Sequence, residues 1–97
     1  MRVLVVEDES SYGSAICRML GQAGHEAKLV GNGAEAVATL RSEPFDCLLT
    51  DLFMPEREGL ETIPEVRKAH PDLRIVAMSG GGFTNDGASF LAIARAL

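Results

Sequence analysis

Four short runs rich in aliphatic and β-branched residues recur at fairly even spacing along the chain: Val3 to Val6, Ala27 to Val30, Cys47 to Thr50 and Ile75 to Met78. Each has the length of a strand. Their apolar character is largely continuous rather than strictly alternating, which predicts strands covered on both faces, the condition of a parallel sheet. Parallel neighbours need crossovers of a dozen or more residues, and helical patterns fill the gaps. Ser10 or Ser11 is expected to cap a helix whose Ile16, Met19 and Leu20 share one face, with Gly24 beyond its end. Asn32 with Glu35 three residues on forms a capping-box pattern ahead of Val37 and Leu40. Leu60, Ile63 and Val66 mark a third helix. Because proline is tolerated only near a first turn, Pro64 predicts that this helix starts around Glu61 to Ile63 and ends before Pro71. Thr84 to Asp86 is expected to cap a fourth, with Leu91, Ala94 and Leu97 on one stripe. Four β-α units joined by right-handed crossovers make an α/β fold with a doubly wound parallel sheet.

Length and charge narrow the function. With 97 residues the chain suits one domain, and 46% hydrophobic with 24% charged residues is ordinary globular composition. The net charge of -5 repels phosphate backbones and anionic lipid surfaces, so no direct nucleic-acid ligand and no membrane partner is expected. The first apolar run halts at Glu7-Asp8-Glu9, which leaves neither a signal-peptide core nor a bilayer-spanning segment and predicts a cytoplasmic protein. Cys17 and Cys47 stand apart from each other and from histidines at metal-ligand spacing, and read as reduced core residues. No internal repeat, linker or low-complexity segment interrupts the pattern.

In sheets of this kind ligands bind outside the carboxyl ends of the strands. The first expected strand runs straight into Glu7-Asp8-Glu9, the third ends at Thr50-Asp51, and the fourth meets Ser79 and Gly80-Gly81-Gly82. Carboxylates brought close together are costly unless a cation compensates them, and a hard ion such as Mg²⁺ suits oxygen donors while leaving room for a phosphoryl group. Asp51 would then be a nucleophile that accepts phosphate as an aspartyl ester. Solvated loop charges explain the same acids taken singly, so on spacing alone both readings stand. The three glycines suit either a loop closing on phosphate or a simple flexible connection. Gly31-Asn32-Gly33 lacks the rest of a dinucleotide fingerprint and reads as a turn; His25 and His70 read as surface residues, and Arg67-Lys68 as a solvated helix face.

Val3 to Glu9 resembles the opening of a response-regulator receiver domain, and Leu48-Leu49-Thr50-Asp51-Leu52-Phe53-Met54-Pro55 with Gly59 resembles its phosphorylation segment. Ile75-Val76-Ala77-Met78-Ser79-Gly80 is similar to the family's fourth strand and the hydroxyl position that follows it. These motifs occur in order over residues 1 to about 82. The resemblance implies a flavodoxin-like sheet, with order 2-1-3-4 for the strands found here. It implies Asp51 as phosphoacceptor, Glu7 and Asp8 as the acidic pair that helps hold Mg²⁺, the main-chain carbonyl of Phe53 as a further ligand, and Ser79 as a contact of the phosphoryl group. The activity implied is Mg²⁺-dependent transfer from the phosphohistidine of a histidine kinase or histidine phosphotransfer protein, followed by autodephosphorylation.

The family carries a lysine at the end of a fifth strand and then a fifth helix. Here Lys28 and Lys68 are the only lysines and both precede Ser79. The expectation is a single receiver domain over residues 1–97 that is incomplete at its C-terminal end and impaired in phosphorylation, and that associates with a second copy through the open fourth-strand edge or by exchange of the segment from Gly80 to Leu97. Two other readings compete. One is a pseudo-receiver that binds partners without phosphorylation, against which the clustered acids argue. The other is a haloacid-type phosphatase, which wants a second Asp where this chain has Phe53.

Overall fold

The computed structural model describes residues 1–51 and 58–78, with side chains for residues 1–50 and 64–76. Among the described residues seven elements follow one another: β1 (Arg2–Val6), α1 (Ser10–Gln22), β2 (Glu26–Val30), α2 (Gly33–Ser42), β3 (Cys47–Asp51), α3 (Glu58–Ala69) and β4 (Arg74–Met78). All strand pairs are parallel, in the order β2-β1-β3-β4, as expected. Each strand runs one residue beyond its apolar run because the polar residues Arg2, Glu26, Asp51 and Arg74 still belong to the ladder. The expected fourth helix and the segment from Gly80 to Leu97 lie outside the described residues.

Alternation along the strands divides the core into two layers. Val3 and Val5 of β1, with Cys47 and Leu49 of β3, pack against Ile16 and Leu20 of α1. Leu4, Val6 and Leu48 face the other way, onto Ala36 and Leu40 of α2 and Val66 of α3, with Leu73 closing the bottom. Burying a side chain of this kind is worth about 1.5–3 kcal/mol, and β1 is buried on both faces, which makes it the least replaceable element. Both cysteines are free. Cys47 is buried and desolvation pushes its thiol up to about 11; Cys17 is half-buried against the first layer and its thiol is also raised by burial.

The helix ends depart from expectation in three places. Neither Ser10 nor Ser11 caps α1: the N-cap is Glu9, without a side-chain capping bond, and Ser11 Oγ instead donates to Glu9 Oε1 at 2.7 Å. A serine inside the first turn has the helix's own backbone geometry and cannot present its oxygen to the free N–H groups ahead of it. The far end behaves as read. Gly24 adopts φ +94, its N–H reaches Gly21 O at 3.1 Å, and His25 N–H reaches Leu20 O at 3.0 Å, the paired bonds of a Schellman motif.

At α2 half of the capping box is displaced. Asn32 Oδ1 accepts from Glu35 N–H at 2.8 Å, but Glu35 Oε2 accepts from Gly31 N–H, also at 2.8 Å, one residue before the cap. α3 starts at Glu58, earlier than Pro64 suggested, and Pro64 lies inside it. Proline removes one helical bond, yet packing of α3 along α2, with Val66 buried in the second layer, holds the helix together. Its end is tied down by Arg67, whose Nη1 donates to Leu73 O at 2.8 Å and to Pro71 O at 3.3 Å.

Candidate functional site

Because every strand pair is parallel, the C-terminal ends of all four described strands lie at the same pole of the sheet. β1 lies between β2 and β3, and the register pairs Val6 with Val30 on one side and Thr50 on the other. The next residues, Glu7 and Asp51, therefore stand at one level on adjacent strands, whose backbones run about 4.8 Å apart. Asp51 in turn pairs with Met78, the last residue of β4 before Ser79.

Glu7 is built in. Its N–H donates to Val30 O at 3.0 Å, extending the ladder past β1. As the next odd position after Val3 and Val5 it turns toward α1, and it is only 4% exposed. Its Oε1 accepts from Glu9 N–H at 3.2 Å, which folds the chain out of the strand and into the helix. Asp8, one residue on, is exposed. Thr50 is buried, consistent with a packing role beside Asp51.

A second feature of this pole has no motif. Gly13 of α1 is buried, and a Cβ placed on it would stand 2.5 and 3.0 Å from the two δ-carbons of Leu29 and 3.3 Å from Glu7 Cβ. A glycine in a helix interior costs roughly 0.5–1 kcal/mol relative to alanine, so close approach is the reason for it here. Helical periodicity reads side chains and passes over a residue that has none; the local cost is the one signal the sequence offered.

Of the expected site residues, then, Glu7, Asp8 and the backbone of Asp51 come together at one pole. The Asp51 side chain, Phe53, Ser79 and Gly80 to Gly82 lie outside the described residues. Among the described residues no group of three or more His, Cys, Asp or Glu side chains is placed to hold a metal ion. The available donors are carboxylate oxygens, one buried and one facing solvent, with no histidine or cysteine in Glu7 to Glu9 or Thr50 to Asp51. That donor chemistry fits a hard cation such as Mg²⁺ and is a poor match for zinc or copper.

The opposite pole holds a different arrangement. Arg2 pairs with Glu26 and Glu43, each at 3.1 Å, donates to Pro44 O, and lies 4.7 Å from the centre of the Phe45 ring. Lys28 also pairs with Glu43. The Lys28 bond, seconded by Arg2, holds the Glu43 carboxyl below the usual carboxylate range. A surface cavity of about 460 Å³ lies at this pole between the α2–β3 and α3–β4 connections. None of Glu7, Asp8 or Asp51 lines it. Nothing in the spacing of Arg2, Lys28 and Glu43 announced the network, because it depends on strand register.

Comparison with known proteins agrees with this geometry. The family model for the response regulator receiver domain matches residues 3–94. The chain is 37% identical over 79 residues to the response regulator receiver protein CpdR of Brucella abortus, covering 81% of this chain and 66% of that protein. It is 34% identical over 77 residues to the DNA-binding transcriptional regulator NtrC of Azospirillum brasilense, but covers 79% of this chain and only 16% of that one. The chain thus spans slightly under two thirds of the first relative and a small part of the second. Among solved structures, the response regulator TrrA of Thermotoga maritima in complex with Mg²⁺-BeF superposes with a TM-score of 0.77 at 31% identity, over 87% of this chain and 73% of that one. TrrA in complex with the histidine kinase ThkA gives 0.74 at 33% identity, over 80% and 67%. Among the described residues no helix is long and apolar enough to cross a membrane. With its 2-1-3-4 parallel sheet and its motifs in order, the chain belongs to the response regulator receiver domain family of two-component systems.

Proposed function

We propose that this receiver domain accepts a phosphoryl group on Asp51 from a phosphohistidine, with Mg²⁺ held at the C-terminal pole of the sheet. The observation that carries the reading is the shared level of Glu7 and Asp51 on adjacent strands, set by the pairing of Val6 with Thr50. In the transfer a carboxylate oxygen of Asp51 attacks phosphorus, the bond from phosphorus to the histidine nitrogen breaks, and its electron pair stays with the imidazole. Hydrolysis later returns the carboxylate and inorganic phosphate.

Mg²⁺, when bound, supplies positive charge against the clustered carboxylates and the incoming phosphoryl oxygens. Glu7 offers a carboxylate held from behind by Glu9 N–H, and Asp8 offers one open to solvent. By family resemblance Phe53 contributes its main-chain carbonyl to the ion and Ser79 its hydroxyl to the phosphoryl group. The partner is a histidine kinase or histidine phosphotransfer protein, a reading supported by the solved complex of the similar receiver TrrA with ThkA. It carries with it a cytoplasmic location, where phosphate drawn from nucleotide is available to such a kinase.

Intact-mass measurement after prolonged exposure to a small phosphodonor with Mg²⁺ tests the proposal. One added phosphoryl group is expected, formed slowly because no lysine follows Lys68 in these residues, and absent from Asp51→Asn. An adduct retained in that variant, or none in the parent chain, overturns the assignment.

A further inference from the structure

We propose that Gly13, the fourth residue of α1, is a positioning residue for the Glu7 carboxylate, and that its missing side chain sets the affinity of this pole for Mg²⁺. The inference rests on the reading that Glu7 helps hold the ion. Two observations converge on it. The first is clearance: α1 approaches β1 and β2 so closely at this point that a Cβ would meet Leu29 at 2.5 Å and Glu7 Cβ at 3.3 Å. The Leu29 contact involves the tip of a half-buried side chain, which can turn aside. The Glu7 contact involves the root of the side chain, so pressure there moves the whole carboxylate.

The second observation is a backbone path. Gly13 N–H donates to Glu9 O at 2.9 Å, closing the first turn of α1, and Glu9 N–H donates to Glu7 Oε1 at 3.2 Å. Any shift of α1 outward from β2 is thereby transmitted to the Glu7 carboxylate through a single residue. Gly21, in the same helix, supplies the contrast: nothing lies within 4 Å of the position its Cβ would take. Alanine at either site gains the same helix propensity, but only alanine at position 13 meets Glu7.

Calorimetric Mg²⁺ titration of the parent chain, Gly13→Ala, Gly21→Ala and Glu7→Gln, with thermal midpoints taken in chelator, decides the matter. Gly13→Ala is expected to bind Mg²⁺ roughly tenfold more weakly, as for other residues that orient a metal ligand without touching the ion, while Gly21→Ala keeps the parent affinity. A lowered metal-free midpoint in Gly13→Ala with unchanged affinity assigns Gly13 to packing alone and overturns the proposal. Should Gly13→Ala fail to fold, the double variant with Leu29→Ala removes the 2.5 Å contact and leaves the Glu7 contact in place. Weak binding by that variant supports the proposal, and parent-like binding overturns it. Loss of affinity in Glu7→Gln but not in Gly13→Ala removes Gly13 only, whereas full affinity in Glu7→Gln, or no binding by the parent, removes the ion reading itself.

Discussion

At the N-terminal ends of its strands the domain balances charge within the chain, whereas at the C-terminal ends it gathers carboxylates in segments that contain no lysine or arginine. Arg2 and Lys28 satisfy Glu26 and Glu43 across three neighbouring segments, and Arg2 and Asp46 exchange backbone bonds as well: Arg2 N–H donates to Asp46 Oδ2 and Asp46 N–H to Arg2 O, both at 2.8 Å. Glu7-Asp8-Glu9, Gly31-Asn32 and Thr50-Asp51 hold four acids and no base. Both poles belong to the same strands and lie only about 17 Å apart along a strand of five residues. A charge set that is internally neutralised serves the fold; one of a single sign that folding alone would disfavour needs a reason outside the fold, and the cation proposed to bind there would supply it.

Asp8→Asn gives the largest effect that separates the poles. Asp8 is exposed, so the substitution leaves packing untouched while removing one charge from the acidic end. Mg²⁺ affinity is expected to fall by roughly tenfold or more, with the metal-free thermal midpoint unchanged or slightly raised as like-charge repulsion is relieved. Calorimetric titration alongside a thermal melt in chelator reads both quantities. Equal Mg²⁺ binding by variant and parent would remove Asp8 from the site and weaken the contrast.

Arg2→Ala is the matching change at the other pole. It removes two ion pairs, a bond to Pro44 O and the stack on Phe45. Exposed pairs are worth about 0.2–1 kcal/mol each and an exposed cation–π contact about 0.5–1 kcal/mol. Since Arg2 is partly open to solvent, a loss of about 1–2 kcal/mol is expected in urea unfolding, shrinking at high salt, with Mg²⁺ affinity unchanged. A clear loss of Mg²⁺ binding would show that the poles are coupled rather than separate.

The sheet and the placement of the acids were legible in the sequence because both rest on local pattern and one general rule. Apolar runs marked the strands, and their parallel pairing then sent Glu7 and Asp51 to one pole whatever the loops did. What stayed hidden depended on contacts between distant segments. Strand alternation buries Glu7 against α1 while Asp8 reaches solvent, although both are acids in one motif. Pro64 was read by its local cost, and the packing of α3 outweighed it. Ser10 and Ser11 have capping chemistry, but the helix begins at Ser10 and gives the cap position to Glu9. Gly13 carries its information in the atoms it lacks.

The smallest effect tests whether the N-terminal pole works by charge. Glu43 has its carboxyl lowered in the folded state, chiefly by the Lys28 bond and then by Arg2. A carboxyl lowered on folding stabilises while it is ionised: the contribution is complete above the unfolded-state value and disappears as pH falls through the lower folded-state value. Glu43→Gln should therefore be less stable than the parent at neutral pH, and the gap between their thermal midpoints should close only below the ordinary carboxylate range. The opposite trend, a gap that widens in acid, has the wrong sign for a lowered carboxyl. The absence of any gap at neutral pH would mean that Arg2 and Lys28 are held through hydrogen bonds a glutamine amide can also make, and that this pole owes its order to geometry rather than to balanced charge. Lys28→Met sharpens the same measurement, since it removes the larger of the two influences: the acid loss of stability should then begin at a higher pH than in the parent, nearer the ordinary range for a glutamate.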